Sequence, residues 1–144
     1  MILVDANLLL YAYDSRSPRH EVARTWLEAT LDSDEQVGFA LVTLMAFIRI
    51  GTSPAVFERP LPVGTAIDLV EGWLRLPNVA LTEPSGRHWV VLARVADAGQ
   101  ARGPLIMDAH LAALAVEHGA TLFTTDRDFA RFPGLRFRDP LSVR

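Results

Sequence analysis

The residues best placed to do chemistry in this chain are three aspartates. Asp5 directly follows the apolar run Ile2 to Val4, and Asp126 directly follows the Thr-rich run Thr121 to Thr125. Asp108 stands in the first turn of a helical segment whose end leads into that second run. One aspartate after a strand is more often a turn residue or a helix cap, and one in a first helical turn gains from the helix dipole. Three that converge are different, because they repel one another and raise each other's pKa unless a cation neutralises them. An oxygen-only cluster suits hard ions, Mg²⁺ with Mn²⁺ as an alternative. Such an ion can orient a phosphodiester, activate water for in-line attack and stabilise the leaving oxygen. Metal-dependent phosphodiester hydrolysis is the chemistry expected.

Composition removes most rivals. The 144 residues include no cysteine, and all 14 basic residues are arginine. A P-loop or Schiff-base lysine, a cysteine nucleophile, a CxxC redox pair and a zinc-cysteine site are therefore excluded. A phosphoacceptor receiver domain also gathers aspartates at strand ends, but it needs a lysine and falls with them. A net charge of −3 gives no overall attraction for nucleic acid, so any such contact must come from a local patch. Arg127, Arg131, Arg136 and Arg138 supply one beside Asp126 and Asp128. Solvated charge is their default role, yet the guanidinium fork suits phosphate.

The aspartates need a scaffold, and the chain alternates strand and helix signals throughout. Ile2 to Val4 reads as a buried strand ending at Asp5, after which Ala6 to Tyr13 resumes apolar character. Ser17 and Pro18 look like an N-cap and first helical residue, ahead of a stripe through Val22, Trp26 and Ala29 with Ala23, Leu27 and Leu31. Val37 to Phe39 suits a second strand, and Leu41 to Ile50 a very apolar helix closed by Gly51. A Pro-rich connector, Glu58 to Pro62, leads to a helix through Ile67, Val70, Trp73 and Leu74, stopped by Pro77. Asn78 to Leu81 is a strand candidate, and Ser85 to Ala98 has helical spacing through Trp89, Leu92 and Ala96. Gly99 to Gly103 is a polar loop, and Leu105 to His118 a patterned helix closed by Gly119. This order predicts one α/β domain over 1–144, a parallel-sheet core flanked by helices on both faces, with ligands at the carboxyl ends of the strands.

No apolar run approaches the roughly 18 residues needed to span a membrane. The first ten residues lack a basic leader and carry Asp5, so a cytoplasmic protein is expected.

Three segments, MILVDANLLLYAY, DAHLAALAVEHGATLFTTDRDFARF and FRDPL, resemble VapC-type toxins of the PIN-domain ribonucleases, and the resemblance runs nearly the whole chain. The paired elements D-x-x-x-A-A-x-A and T-x-D-x-D-F carry most of its specificity. The resemblance implies an Mg²⁺-dependent endoribonuclease with Asp5, Asp108, Asp126 and Asp128 in its site, Asp5 and Asp108 holding metal. It also implies a small VapB-like antitoxin as partner and a homodimer. The family usually carries a glutamate on the second helix, where LMAFIRI places Ala46, and nothing acidic lies between Gln36 and Glu58. A PIN-like domain that only binds RNA or protein is the competing reading.

Other residues carry lesser expectations. Asn7 is a turn or capping residue, or a holder of a metal-bound water near Asp5. His20 and His110 are expected in exposed or capping roles. Arg49, on an apolar helix, must pair or reach the surface, and so is a candidate for pairing with the aspartates or binding substrate phosphate together with Arg127 and Arg131.

Overall fold

Strand side chains alternate between faces, and here both faces are apolar. Ile2, Val4, Val37, Phe39 and Val79 enter one core, while Leu3, Ala40 and Leu122 enter the other. A sheet buried on both sides must be covered twice, which dictates helices on each face. The structure, a computed structural model, describes residues 1–142. Its elements in chain order are β1 (Ile2–Val4), α1 (Ala6–Tyr13), α2 (His20–Leu31), β2 (Val37–Ala40), α3 (Leu41–Gly51), α4 (Val63–Leu74), β3 (Val79–Thr82), α5 (His88–Ala98), α6 (Leu105–Glu117), β4 (Thr121–Phe123) and β5 (Phe137–Arg138). The sheet is parallel throughout, in the order β3-β2-β1-β4-β5.

Helices α1 to α4 pack on the face that holds Val4 and Phe39, where Phe47 and Trp73 meet with ring centroids 5.1 Å apart. Helices α5 and α6 pack on the face that holds Leu3 and Leu122. The Ala-rich stretch Ala112, Ala113 and Ala115 is buried there, so α6 lies close to its neighbours. Strand order reverses at β1, whose neighbours are β2 and β4, and that is where a parallel sheet opens a crevice at its carboxyl edge. Gly119 adopts φ +64 after α6, the left-handed conformation that ends a helix and turns the chain into β4.

Several boundaries differ from the sequence reading. Helix α2 begins at His20, because Ser17 and Pro18 form a turn in which the Ser17 hydroxyl accepts from the Arg19 N–H at 3.1 Å. The run to Thr125 pairs as a strand only to Phe123. Strand β5, too short to show a pattern in the sequence, pairs its Phe137 with Leu122. In α5 the buried stripe is His88, Val91 and Val95, one position off the expected Trp89, Leu92 and Ala96. A buried histidine carried the register, and Trp89 is left 79% exposed. No helix among the described residues is long and apolar enough to cross a membrane.

Gly38, in β2, sits under its neighbours so closely that a Cβ there would collide with the Thr82 hydroxyl and lie 2.6 Å from the Met1 terminal methyl. Gly38→Ala should therefore overpack the sheet and destabilise the protein by about 1–3 kcal/mol. A lower urea midpoint with an unchanged slope would show this; a midpoint equal to wild type would mean that the Thr82 and Met1 side chains swing aside without cost.

Candidate active site

Strand β1 stops at Asp5 because the residue serves as the N-cap of α1. Its backbone is extended and its Oδ1 accepts from the Ala6 N–H at 2.7 Å. The Asp5 N–H still donates to the Phe123 carbonyl at 3.0 Å, so the carboxylate is fixed at the joint of β1 and β4. Its second oxygen accepts from the Thr124 hydroxyl at 2.7 Å. Thr124 is buried, and the same Oγ1 accepts from the Asp126 N–H at 3.0 Å and from Asn7 Nδ2 at 3.5 Å. One side chain thus binds both ends of the acidic pair together. The T-x-D element is visible in the sequence, but the bridge it makes to Asp5 is not. Its signal was a threonine two residues before an aspartate at a strand end, a spacing that lets a hydroxyl meet the next-but-one backbone N–H.

Asp126 Oδ1 in turn accepts from the Asp128 N–H at 2.9 Å, capping the short 3-10 turn Arg127–Arg131. Asp128 is exposed at the edge of the group. Asp108 arrives from α6 across a cleft of about 410 Å³, lined by Asp5, Asp108 and Arg49 together with Val42, Met45 and Ala46. Ala46 therefore lines the cleft beside the acidic residues. Arg49 is exposed at this cleft and makes no ion pair among the described residues, so it reaches the surface without being tied to the aspartates.

The electrostatics match a crowded acidic site. Burial raises the Asp5 carboxyl above its usual range, opposed by the Thr124 and Ala6 hydrogen bonds, with Asp126 adding a smaller upward push. For Asp108 burial again comes first, followed by the charges of Asp126, Asp5 and Asp128, with Arg131 opposing. Arg131 is the one basic residue of the C-terminal patch that acts on Asp108, and its guanidinium also donates to the Gly99 carbonyl at 3.3 Å. Arg127 is exposed, and Arg136 donates to the Gly119 carbonyl at 2.8 Å.

A hard divalent cation fits these donors by chemistry: the cluster is all carboxylate, its members repel one another, and the buried Asn7 Oδ1 beside them has no hydrogen-bond partner. Among the described residues no three acidic or histidine groups form a ready cage for one ion. Mg²⁺ is commonly held by one or two carboxylates, with water and substrate phosphate completing its octahedron.

The histidines behave differently from one another. His20 Nδ1 meets the Tyr11 carbonyl at 3.1 Å, a capping role as expected. His110 is neither exposed nor a cap: its Nδ1 lies 2.9 Å from His88 Nε2, and His88 Nδ1 lies 2.7 Å from the Glu117 carboxylate. Burial first and the His88 ring second lower the His110 pKa, with Glu117 opposing. Sequence spacing could not reveal this chain, because it joins α5 to α6 across the fold.

Comparison with known proteins identifies the family to which this fold belongs. The profile of the PIN domain matches residues 2–135. The chain is 45% identical to Ribonuclease VapC37 of Mycobacterium tuberculosis over 97% of each chain, and 38% identical to Ribonuclease VapC33 of the same organism over 98% and 99%. Its fold matches the VapBC-1 structure from nontypeable Haemophilus influenzae with a TM-score of 0.70, at 17% identity over 99% of this chain and all of the other.

A carboxyl whose pKa is raised in the fold holds its proton more tightly in the native state than in the unfolded chain. Its stability contribution is then intact below the unfolded carboxylate range and is lost as pH rises toward the raised native value. In metal-free buffer Asp108→Asn should melt higher than wild type near neutral pH and lose that advantage below about pH 4. Equal melting temperatures at neutral pH would mean that the carboxylates do not strain one another.

Proposed function

This chain belongs to the PIN-domain family, and from that premise we propose that it is an endoribonuclease, the toxin of a VapBC-type toxin-antitoxin pair acting on cytoplasmic RNA. The observation that carries the reading is the junction of Asp5 and Asp126 through Thr124, with Asp108 facing them across an open cleft. Relatives named as ribonucleases over nearly the whole chain support it.

Asp5 and Asp108 would hold Mg²⁺ or Mn²⁺, which when bound supplies positive charge to the phosphodiester and lowers the pKa of bound water. The remaining work falls to the chain itself. Asp5, with both oxygens already oriented by hydrogen bonds, keeps a fixed position with lone pairs to spare. Asp126 commits Oδ1 to the Asp128 N–H, so its other oxygen is the one available to accept a proton from an attacking water. The Asp128 backbone N–H holds Asp126 in place, and its exposed carboxylate would assist from the edge of the site. Arg49, Arg127 and Arg131 stand at the rim of the site and would hold substrate phosphates.

The partners follow from surface chemistry. A small antitoxin that inserts an arginine or lysine among the aspartates would replace the cation and block cleavage. Val63 and Ile67 on α4 and Trp89 and Val90 on α5 are exposed apolar side chains, and a second copy or an antitoxin would cover them. The competing reading, a binding module without catalysis, draws on Ala46, which leaves the cleft one carboxylate short.

The proposal requires that Asp5→Asn, Asp108→Asn and Asp126→Asn each lower Mg²⁺-dependent RNA cleavage on the order of a hundredfold or more. Cleavage at the wild-type rate in any two of them would remove the site. Ala46→Glu separates enzyme from binding module. Because Ala46 lines the cleft beside Asp5 and Asp108, the new carboxylate should tighten Mg²⁺ binding by roughly ten- to a hundredfold and preserve cleavage. A variant that melts lower and binds Mg²⁺ no better would show that the side chain turns into the core.

A further inference from the structure

We infer that His110 is a substrate-binding residue: the groove between α3 and α6 carries single-stranded RNA from the acidic site past Val42, and seats one nucleobase against His110 Nε2. The inference rests on the ribonuclease reading above and adds how the substrate is read.

Helix α3 packs on α1 and α4, whereas α6 packs on α5, so a gap is left open between α3 and α6 at the sheet edge. The cleft beside Asp5 and Asp108 is one part of it. A second pocket of about 400 Å³, bounded by Leu41, Leu81, Pro84, His110 and Leu114, is the other, and Val42 lines both. At about 100° per residue, Asp108, Leu111, Leu114 and His110 follow one another around α6, so one path leads from the acidic group to the imidazole. The walls are mostly apolar and accessible, Leu41 being 60% exposed in the second pocket and Met45 55% and Met107 53% in the first, while Thr82 and Glu83 add polar groups at the far side of the second.

The His110 ring is held unusually firmly. The Glu117 carboxylate is 2% exposed and His88 7%. Glu117 also accepts from the Ser85 N–H at 2.7 Å, which closes the loop before α5 and accounts for one of its oxygens. The other oxygen faces His88 Nδ1, and His88 Nε2 faces His110 Nδ1. With both imidazoles neutral these bonds admit one arrangement: His88 donates from Nδ1 to the carboxylate, and His110 donates from Nδ1 to His88 Nε2. His110 Nε2 is then an acceptor, it makes no hydrogen bond among the described residues, and it belongs to a residue lining the second pocket. Glu117 and His88 are positioning residues that fix its tautomer.

An acceptor nitrogen between aliphatic walls selects a flat group with an N–H donor at its edge. An exocyclic amino group, present on adenine, cytosine and guanine, projects beyond the ring and meets that need, whereas the one N–H donor of uracil, at N3, is recessed between two carbonyl oxygens that would face the imidazole acceptor. Phosphate does not, because it offers acceptors only, and the carboxylate site and Arg49 already serve the backbone at the other end of the groove.

The test is affinity of the intact protein for single-stranded RNA oligomers, measured by fluorescence anisotropy with Ca²⁺ in place of Mg²⁺, one nucleotide at a time being changed between uridine and an amine-bearing base. Wild type should discriminate at one position. His110→Ala should weaken binding of the favoured oligomer roughly five- to tenfold and leave the uridine oligomer unchanged, and His110→Gln, which restores an acceptor, should recover part of the difference. Nitrogen NMR should show the Nδ1–H tautomer at His110 in wild type and lose it in His88→Phe. Should that buried variant fail to fold, the half-exposed His110 variants decide alone. Absence of RNA binding, discrimination unchanged in His110→Ala, or an Nε2–H tautomer would overturn the inference. So would a Leu41→Asp variant that turns a dimer into a monomer with RNA affinity unchanged, which would assign the groove to a second copy. Discriminating RNA binding without any cleavage in Mg²⁺ would defeat the ribonuclease reading and leave this one standing; cleavage with selectivity independent of His110 would do the reverse.

Discussion

The Thr124 hydroxyl sets the geometry on which the rest of the site depends. Two carboxylates at the ends of neighbouring strands would move apart if left to their charges, and burial makes their ionised forms costlier still. A buried hydroxyl has one proton to give and two lone pairs to receive with. Here it gives the proton to Asp5 and receives from the Asp126 backbone, so it holds the pair without adding charge. A lysine or arginine in its place would have neutralised the carboxylates and left no reason for a cation to bind. The same hydroxyl draws Asn7 toward the group, and thereby aligns the first turn of α1 with the end of β4.

That joint is possible only because β1 lies between β2 and β4. Its central place brings a residue near the start of the chain beside one near the end, and the reversal of strand order at β1 opens the sheet edge there. The two helical layers then divide unequally, with α1 to α4 on one face and α5 and α6 on the other. Asp108 comes from the second layer and Arg49 from the first, so the cleft between them spans the sheet edge.

Ala46 gives this cleft its character. A methyl group at this position adds no charge to the cleft and leaves space beside Arg49 and Met45. With no acid from α3 facing it, the exposed guanidinium of Arg49 makes no ion pair among the described residues and stays at the surface of the cleft.

Much of this was legible along the chain. Ile2 to Val4, Val37 to Phe39 and Leu105 to His118 could be read because each is a local apolar pattern ended by a residue with a clear physical preference: a carboxylate cap, a helix start or a glycine able to adopt positive φ. The three aspartates were legible for the same reason, standing where strands and a helix must begin or end. What the chain could not reveal were bonds between residues far apart in sequence. The bridge from Thr124 to Asp5 and the path from Glu117 through His88 to His110 depend on which strand lies beside which and on how α5 is rotated against α6. The α5 register is not legible in the sequence because the buried stripe starts at a hydrogen-bonded histidine, His88, where hydropathy points to Trp89, and β5 is not because two residues leave no period. Local patterns encode elements, since propensity and hydrophobic period act over a few residues; tertiary packing alone decided which polar groups meet, because a hydrogen bond between distant residues exists only once the layers that carry them have been placed.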